Sequence, residues 1–187
     1  MKPCWCHADV QCPVCASRTF RLRYVVTNPF EPKQQNALLR RQEHRVGYNS
    51  GAYIVVHNDD GILDRSLLRA VLNDEIWVLY IGRRQEALVE RVQDFARALT
   101  GNTKSTHGAG VLGRGLIGAE INPDAVRIVT IPYQDSWALE FRLLEDFSLH
   151  GGYYPRLNRK GPDRRSGSSK VVPIPNVRSL LGRGSKT

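Results

Sequence analysis

Apolar residues recur along this chain in two rhythms. Short runs of β-branched and aromatic residues bounded by turn residues occur at 22–27, 52–56, 76–81 and 126–131 and read as strands. Longer segments place apolar residues three or four apart: Leu88, Val92, Phe95 and Leu99 within 85–99, and Trp137, Phe141, Leu144 and Phe147 within 136–149. That period predicts two amphipathic helices. A shorter helix is expected over 65–72, RSLLRAVL, with Asp64 as its N-cap. Together these predict a small α+β domain, a short mixed or antiparallel sheet flanked by helices. No internal repeat and no glycine-rich phosphate loop of the Walker or Rossmann type interrupts the pattern.

At 187 residues the chain is long enough for one core with appendages, and 41% hydrophobic content can fill it. No apolar run approaches the roughly 20 residues that a membrane span needs, and MKPCWCHADV lacks the apolar stretch expected of a secretory signal. The expectation is a soluble, cytoplasmic protein with no membrane partner. The core domain is placed at 21–160, between a cysteine-rich segment at 1–20 and a tail at 161–187.

Charge changes the picture at one end. Of the formal +9, residues 156–187 hold nine Lys/Arg against one Asp, a local +8 that leaves +1 for residues 1–155. Rich in Gly, Pro and Ser and without an apolar period, this stretch reads as disordered. Its cations suit polyphosphate, since they would release counterions on binding nucleic acid. The candidate nucleic-acid contacts are Arg156, Arg159, Lys160, Arg164 and Arg165, with Lys104 in an upstream loop; a solvated tail is the plainer alternative.

The four cysteines all fall in CWCHADVQCPVC. Reduced thiols at such spacing favour metal over disulfide. Cys4, Cys6, Cys12 and Cys15 could close a tetrahedral structural zinc site, with His7 able to replace Cys6; a redox pair or iron–sulfur ligation are the other options.

Three positions on the predicted helices carry charge beside the buried stripe. Arg91 lies between Leu88 and Phe95, and Glu145 between Phe141 and Leu149. A carboxylate there needs a cation. Glu140, between Trp137 and Leu144, meets the same geometric test, and spacing alone does not choose between the two.

The order of several short motifs is more specific. Gly51-Ala52-Tyr53 ends on a tyrosine in a strand, Leu79-Tyr80-Ile81-Gly82 places a second tyrosine in the next strand, Arg83 follows at once, and Arg91 lies on the following helix. The segment EDFSLHGGYYPRLN, starting at Glu145 and ending at Asn158, closes with Pro-x-x-Asn. In this order the motifs resemble the GIY-YIG nuclease superfamily, in its restriction or mobile-element branch. The resemblance spans residues 51–158 and implies a metal-dependent DNA endonuclease, probing double-stranded DNA and using one Mg2+ or Mn2+. It implies Tyr53 as general base aided by Tyr80, Glu145 as metal ligand, Arg83 and Arg91 as charge clamps on the phosphate, and Asn158 as a brace for the tyrosine pocket. That division suits phosphoryl transfer, which needs cation clamps and positioning more than covalent chemistry. Two-fold DNA sites often demand a dimer, and a homodimer stays open.

Three departures bear on the likeness. Ala52 stands in the middle of the first triplet, which a strand tolerates. The gap between the tyrosines holds an insertion like those of restriction-type members. Phe95 occupies a position where the family often has Tyr or His. His107, in the Gly- and Ser-flanked stretch GNTKSTHGAG, is the substitute expected, on a mobile segment that closes on DNA. The alternative function is a DNA- or RNA-binding protein that keeps the nuclease frame without turnover.

Overall fold

A computed structural model describes residues 24–47, 49–58, 77–102, 104–151 and 155–158. The cysteine cluster with its expected zinc, the helix expected over 65–72, Arg159, Lys160, Arg164, Arg165 and the basic tail lie outside the described residues.

The described chain is an α+β fold with one four-stranded antiparallel sheet. Its strands are β1 (Val25–Thr27), β2 (Gly51–His57), β3 (Trp77–Arg84) and β4 (Val126–Pro132), in the order β1-β4-β2-β3. The helices are α1 (Pro32–Val46), α2 (Leu88–Leu99), α3 (Gly108–Arg114) and α4 (Ser136–Gly151). No helix among the described residues is long and apolar enough to cross a membrane.

β2 lies between β3 and β4, and every residue from Gly51 to Val56 is buried. Its side chains alternate between two apolar layers. Ala52, Ile54 and Val56 meet Leu139, Leu143, Leu144 and Phe147 of α4 on one face. Tyr53 and Val55 meet Leu39 of α1 and Leu88, Val92 and Phe95 of α2 on the other. A strand covered on both faces reads as a continuous apolar run, as GAYIVV does. The alternation also turns Tyr53 toward α2 and away from α4.

α1 was not foreseen in the apolar pattern. Only Gln35 and Leu39 of its residues are buried, so its sequence carries almost no apolar period. Pro32 starts it and Gly47, at φ +76°, ends it in the left-handed conformation that glycine adopts without strain. α2 begins at Leu88, three residues later than the expected helix. The residue before it is Ala87, at φ 56°, and its first turn is capped from the far side of the fold: Asn49 Oδ1 accepts from Val89 N–H at 3.1 Å and the Asn49 carbonyl accepts from Leu88 N–H at 3.1 Å. Because Asn49 stands two residues before β2, this cap ties the start of α2, and hence Arg91, to the strand that carries Tyr53.

The expectation of a mobile segment around His107 gives way to a helix. Residues 108–114, GAGVLGR, form α3 against α2. A Cβ at Gly110 would lie 2.7 Å from both Ala98 Cβ and the Phe95 carbonyl oxygen, and one at Gly113 would lie 2.8 Å from a Leu99 methyl. The glycines are there so that two helix backbones can approach, and that approach drives His107 inward.

Candidate active site

The expected tyrosines and arginine converge at one end of the sheet. Tyr80, Arg83, Arg84, Gln85, Glu86, Arg91 and Glu140 line an open cleft of about 440 Å³ between β3, the start of α2 and the first half of α4. Three guanidinium groups and two carboxylates leave the cleft net positive, as a phosphate site requires.

Tyr53 sits behind Tyr80. Its side chain is 0% exposed, while Tyr80 is partly exposed and forms the cleft wall. Their ring centroids are 5.7 Å apart. Phe95, also 0% exposed, stacks on Tyr80 at 5.6 Å with ring planes 10° apart and meets Tyr53 edge-on at 6.0 Å. Phenylalanine therefore packs the two phenols without offering them a proton donor. His107 supplies the polar group: it is 4% exposed, its Nε2 lies 2.7 Å from the Tyr53 hydroxyl, and its ring meets Phe95 edge-on at 5.1 Å. Its Nδ1 accepts the Gly110 amide proton at 3.4 Å, so the same ring caps α3.

Gly82 makes room for this arrangement. A Cβ there would lie 2.6 Å from Tyr80 Cε1 and 2.9 Å from the Tyr53 hydroxyl oxygen. The glycine after Tyr80-Ile81 is thus a steric requirement of the paired rings. Asn158 acts through the backbone of the same strand. Its Oδ1 accepts from Ile81 N–H at 2.9 Å and its Nδ2 donates to the Ile81 carbonyl at 2.7 Å, which imitates a neighbouring strand along the edge of β3. Leu157 N–H adds a bond to the Leu79 carbonyl, and Asn158 N–H closes the turn on Pro155 O at 2.8 Å. The Pro-x-x-Asn spacing is the length of that turn.

Arg91 reaches the cleft with its Nε buried and without a hydrogen-bond partner among the described residues. Its charge opposes the upward shift of both phenols. Burial raises Tyr53 well above the ordinary phenol value, with Tyr80 adding to the rise; burial raises Tyr80 too. Arg83 is held more tightly, with Nε 2.9 Å from a Glu140 oxygen and its guanidinium 4.0 Å from the centre of the Trp137 ring. Burial raises the Glu140 carboxyl above its usual range, with Arg83 and then Arg91 opposing.

Of the two α4 glutamates, Glu140 lines the cleft. Glu145 bonds Arg142 one turn earlier on α4 at 2.5 Å and is not among the cleft-lining residues. At about 100° per residue the two glutamates point roughly 140° apart around the helix. Both border the apolar stripe in sequence, and only packing against β3 separates them. Of the remaining expected contacts, Lys104 is exposed in a turn, and Arg156 is exposed and doubly bonded to Glu120.

Burial, and then the charge of Arg91, hold His107 down to about 4, while its backbone hydrogen bond and Asp94 oppose. In the unfolded chain a histidine titrates near 6.5. The unfolded state therefore takes up the proton first, and the neutral ring's contribution to stability, whole above pH 6.5, is lost as pH falls toward about 4. The stability difference between wild type and His107→Gln, measured by urea unfolding, should narrow through that window. A difference independent of pH would contradict this assignment.

No family model, no curated protein and no solved structure matches the chain.

Proposed function

We propose that this protein is a metal-dependent endonuclease that hydrolyses phosphodiester bonds in double-stranded DNA. The observation that carries the reading is the convergence of Tyr80, Arg91 and Glu140, far apart in sequence, on one net-positive cleft, with Tyr53 packed behind Tyr80. The resemblance of their order to the GIY-YIG nucleases supports it.

Among the described residues no three His, Cys, Asp or Glu side chains gather around one point, so an ion held here would rest on a single carboxylate. Mg2+ is commonly held by one or two carboxylates with water and substrate phosphate oxygens completing the shell. Glu140 is the partly buried cleft carboxylate, paired with Arg83, and it would take the ligand role that the sequence resemblance gives to Glu145. A bound ion would supply Lewis-acid stabilisation of the phosphoryl oxygens and help to acidify water. Arg91 would bind the scissile phosphate, and the tyrosine pair would receive the proton of the attacking water. Arg83, stacked on Trp137 beside Glu140, would face the same phosphate.

The groove around the cleft needs cations for the flanking DNA backbone, and α1 offers them. Lys33, Arg41 and Arg45 are exposed on the side of α1 away from buried Gln35 and Leu39. α1 rests on α2 through Arg40–Glu90 at 2.6 Å and Gln93–Asn36 at 2.7 Å, next to Arg91 in sequence. Replacing both Arg41 and Arg45 by Ala should reduce the log–log salt slope of DNA binding by about 2, with cleavage at saturating DNA unchanged. An unchanged slope would make this face a solvated surface only.

Binding without turnover is the competing reading, and the Arg83–Glu140 ion pair is the observation that favours it, because an ion must displace the guanidinium to reach the carboxylate. Incubation of duplex DNA with Mg2+ or Mn2+ separates the two: cleavage lost in EDTA supports the nuclease, and salt-sensitive binding without cleavage supports the binding module.

A further inference from the structure

Arg83 comes to the cleft from the other face of the sheet. It pairs with Ala52 across β2 and β3, and Ala52 packs on the α4 face with Leu139 and Leu143. Tyr80 packs on the opposite face, which α2, the helix carrying Arg91, covers. Yet all three line one cleft. β3 is the last strand of the sheet, so side chains from its two faces can meet along its outer edge. What turns Arg83 toward that edge comes from the first half of α4. Glu140 accepts from Arg83 Nε at 2.9 Å, and the guanidinium carbon lies 4.0 Å from the centre of the Trp137 ring. Three residues apart on one helix, Trp137 and Glu140 are neighbours and act on the same group.

A cation in this place needs such a hold. Arg84 and Arg91 line the same cleft, and like charges repel across it. Glu140 fixes one atom of the guanidinium and leaves the group free to pivot, whereas an aromatic face attracts its charge and restricts its plane. The Arg83 and Glu140 side chains are only 23% and 21% exposed, so that attraction is weakened little by water. Both Nη groups of Arg83 are left without a hydrogen bond to a described residue and face the cleft.

The ring is itself held in place. Asp135 caps α4, its Oδ1 accepting from Ala138 N–H at 3.0 Å and its carbonyl from Leu139 N–H at 3.1 Å. Ser50 Oγ donates to the Tyr133 carbonyl at 2.7 Å, which ties the approach to α4 to the start of β2. The first turn of α4 and the end of β3 are thus fixed through the strand between them.

We propose that Trp137 is a positioning residue for the nucleic-acid contact: its ring face holds the Arg83 guanidinium so that both Nη groups can meet one phosphate. That the anion is a DNA phosphate rests on the nuclease reading; the hold of Trp137 on Arg83 does not.

Trp137→Leu removes packing along with the ring face, so the deciding variants keep the shape of the ring. Tryptophans carrying one, two and three ring fluorines, which withdraw electrons from the ring face, are placed at position 137 alone, and affinity for a fluorescent DNA duplex is measured in EDTA. Affinity should fall with each fluorine, to about five- to tenfold below the unlabelled protein at three, and the fall should vanish in an Arg83→Leu background. Equal affinity along the series makes Trp137 a packing residue and overturns the proposal while the nuclease reading stands. A fall that persists without Arg83 places the ring itself against the DNA and overturns the proposal as well. If the trend holds but no form cleaves with any divalent ion, the nuclease reading falls and the positioning role stands. If no form binds the duplex, both fall together.

Discussion

Replacing Glu140 with Gln should lower metal-dependent DNA cleavage by about a thousandfold or more, a loss on the order of 4 kcal/mol of transition-state stabilisation. Glu145→Gln should leave cleavage within about threefold, because changes away from the reacting groups act only through small stability effects. Gln at position 140 keeps an oxygen to accept from Arg83 and a similar shape against Trp137, so the fold is expected to survive. What it loses is the charge that a divalent ion requires. Single-turnover cleavage with Mg2+ checks both variants. A large loss at Glu145 with little at Glu140 would move the metal site around α4 and break its link to Arg91 and the tyrosines.

Gly82→Ala should disable the site by a different route. The added methyl would stand 2.6 Å from Tyr80 Cε1 and 2.9 Å from Tyr53 Cζ and its hydroxyl oxygen. Neither ring can yield easily. Tyr53 is enclosed and bonded to His107, and Tyr80 is stacked on Phe95, which is itself fully buried. Overpacking of this kind costs about 1–3 kcal/mol, and β3 must shift or a ring must leave its rotamer. Urea unfolding should show a lower midpoint, and the Tyr53–His107 bond should be lost from the His107 ring spectrum. A variant with wild-type stability and an unchanged spectrum would show that the two rings are not held as described.

The strands and the two long helices were legible because each buries an apolar set with the period of its own backbone. The four predicted runs correspond to β1–β4, and the stripes of 85–99 and 136–149 correspond to α2 and α4. α1 escaped because a helix that buries little beyond Gln35 and Leu39 leaves no stripe to read. α3 escaped for the opposite reason: Gly110 and Gly113 look like loop residues in sequence and are close-packing residues in space. Within the site, Tyr53, Tyr80, Arg83 and Arg91 could be proposed from motif order, since each is fixed by a strand or helix whose register the pattern sets. The choice between Glu140 and Glu145 could not, because both flank the same stripe and only the contact of α4 with β3 distinguishes them. Asn49, which no motif singled out, fixes Arg91 through a cap that joins residues 40 apart. His107 was proposable as a polar replacement for the group missing at Phe95, but its burial against Tyr53 follows from the approach of α3 to α2.

The direct test of the central claim is plasmid cleavage by the purified full chain in Mg2+, compared with the same protein in EDTA and with Arg91→Ala in Mg2+. Nicking or linearisation by the wild type in Mg2+, absent in EDTA and strongly reduced in Arg91→Ala, is the predicted result. Cleavage that persists in Arg91→Ala, or none from the wild type with any divalent ion, would contradict the account.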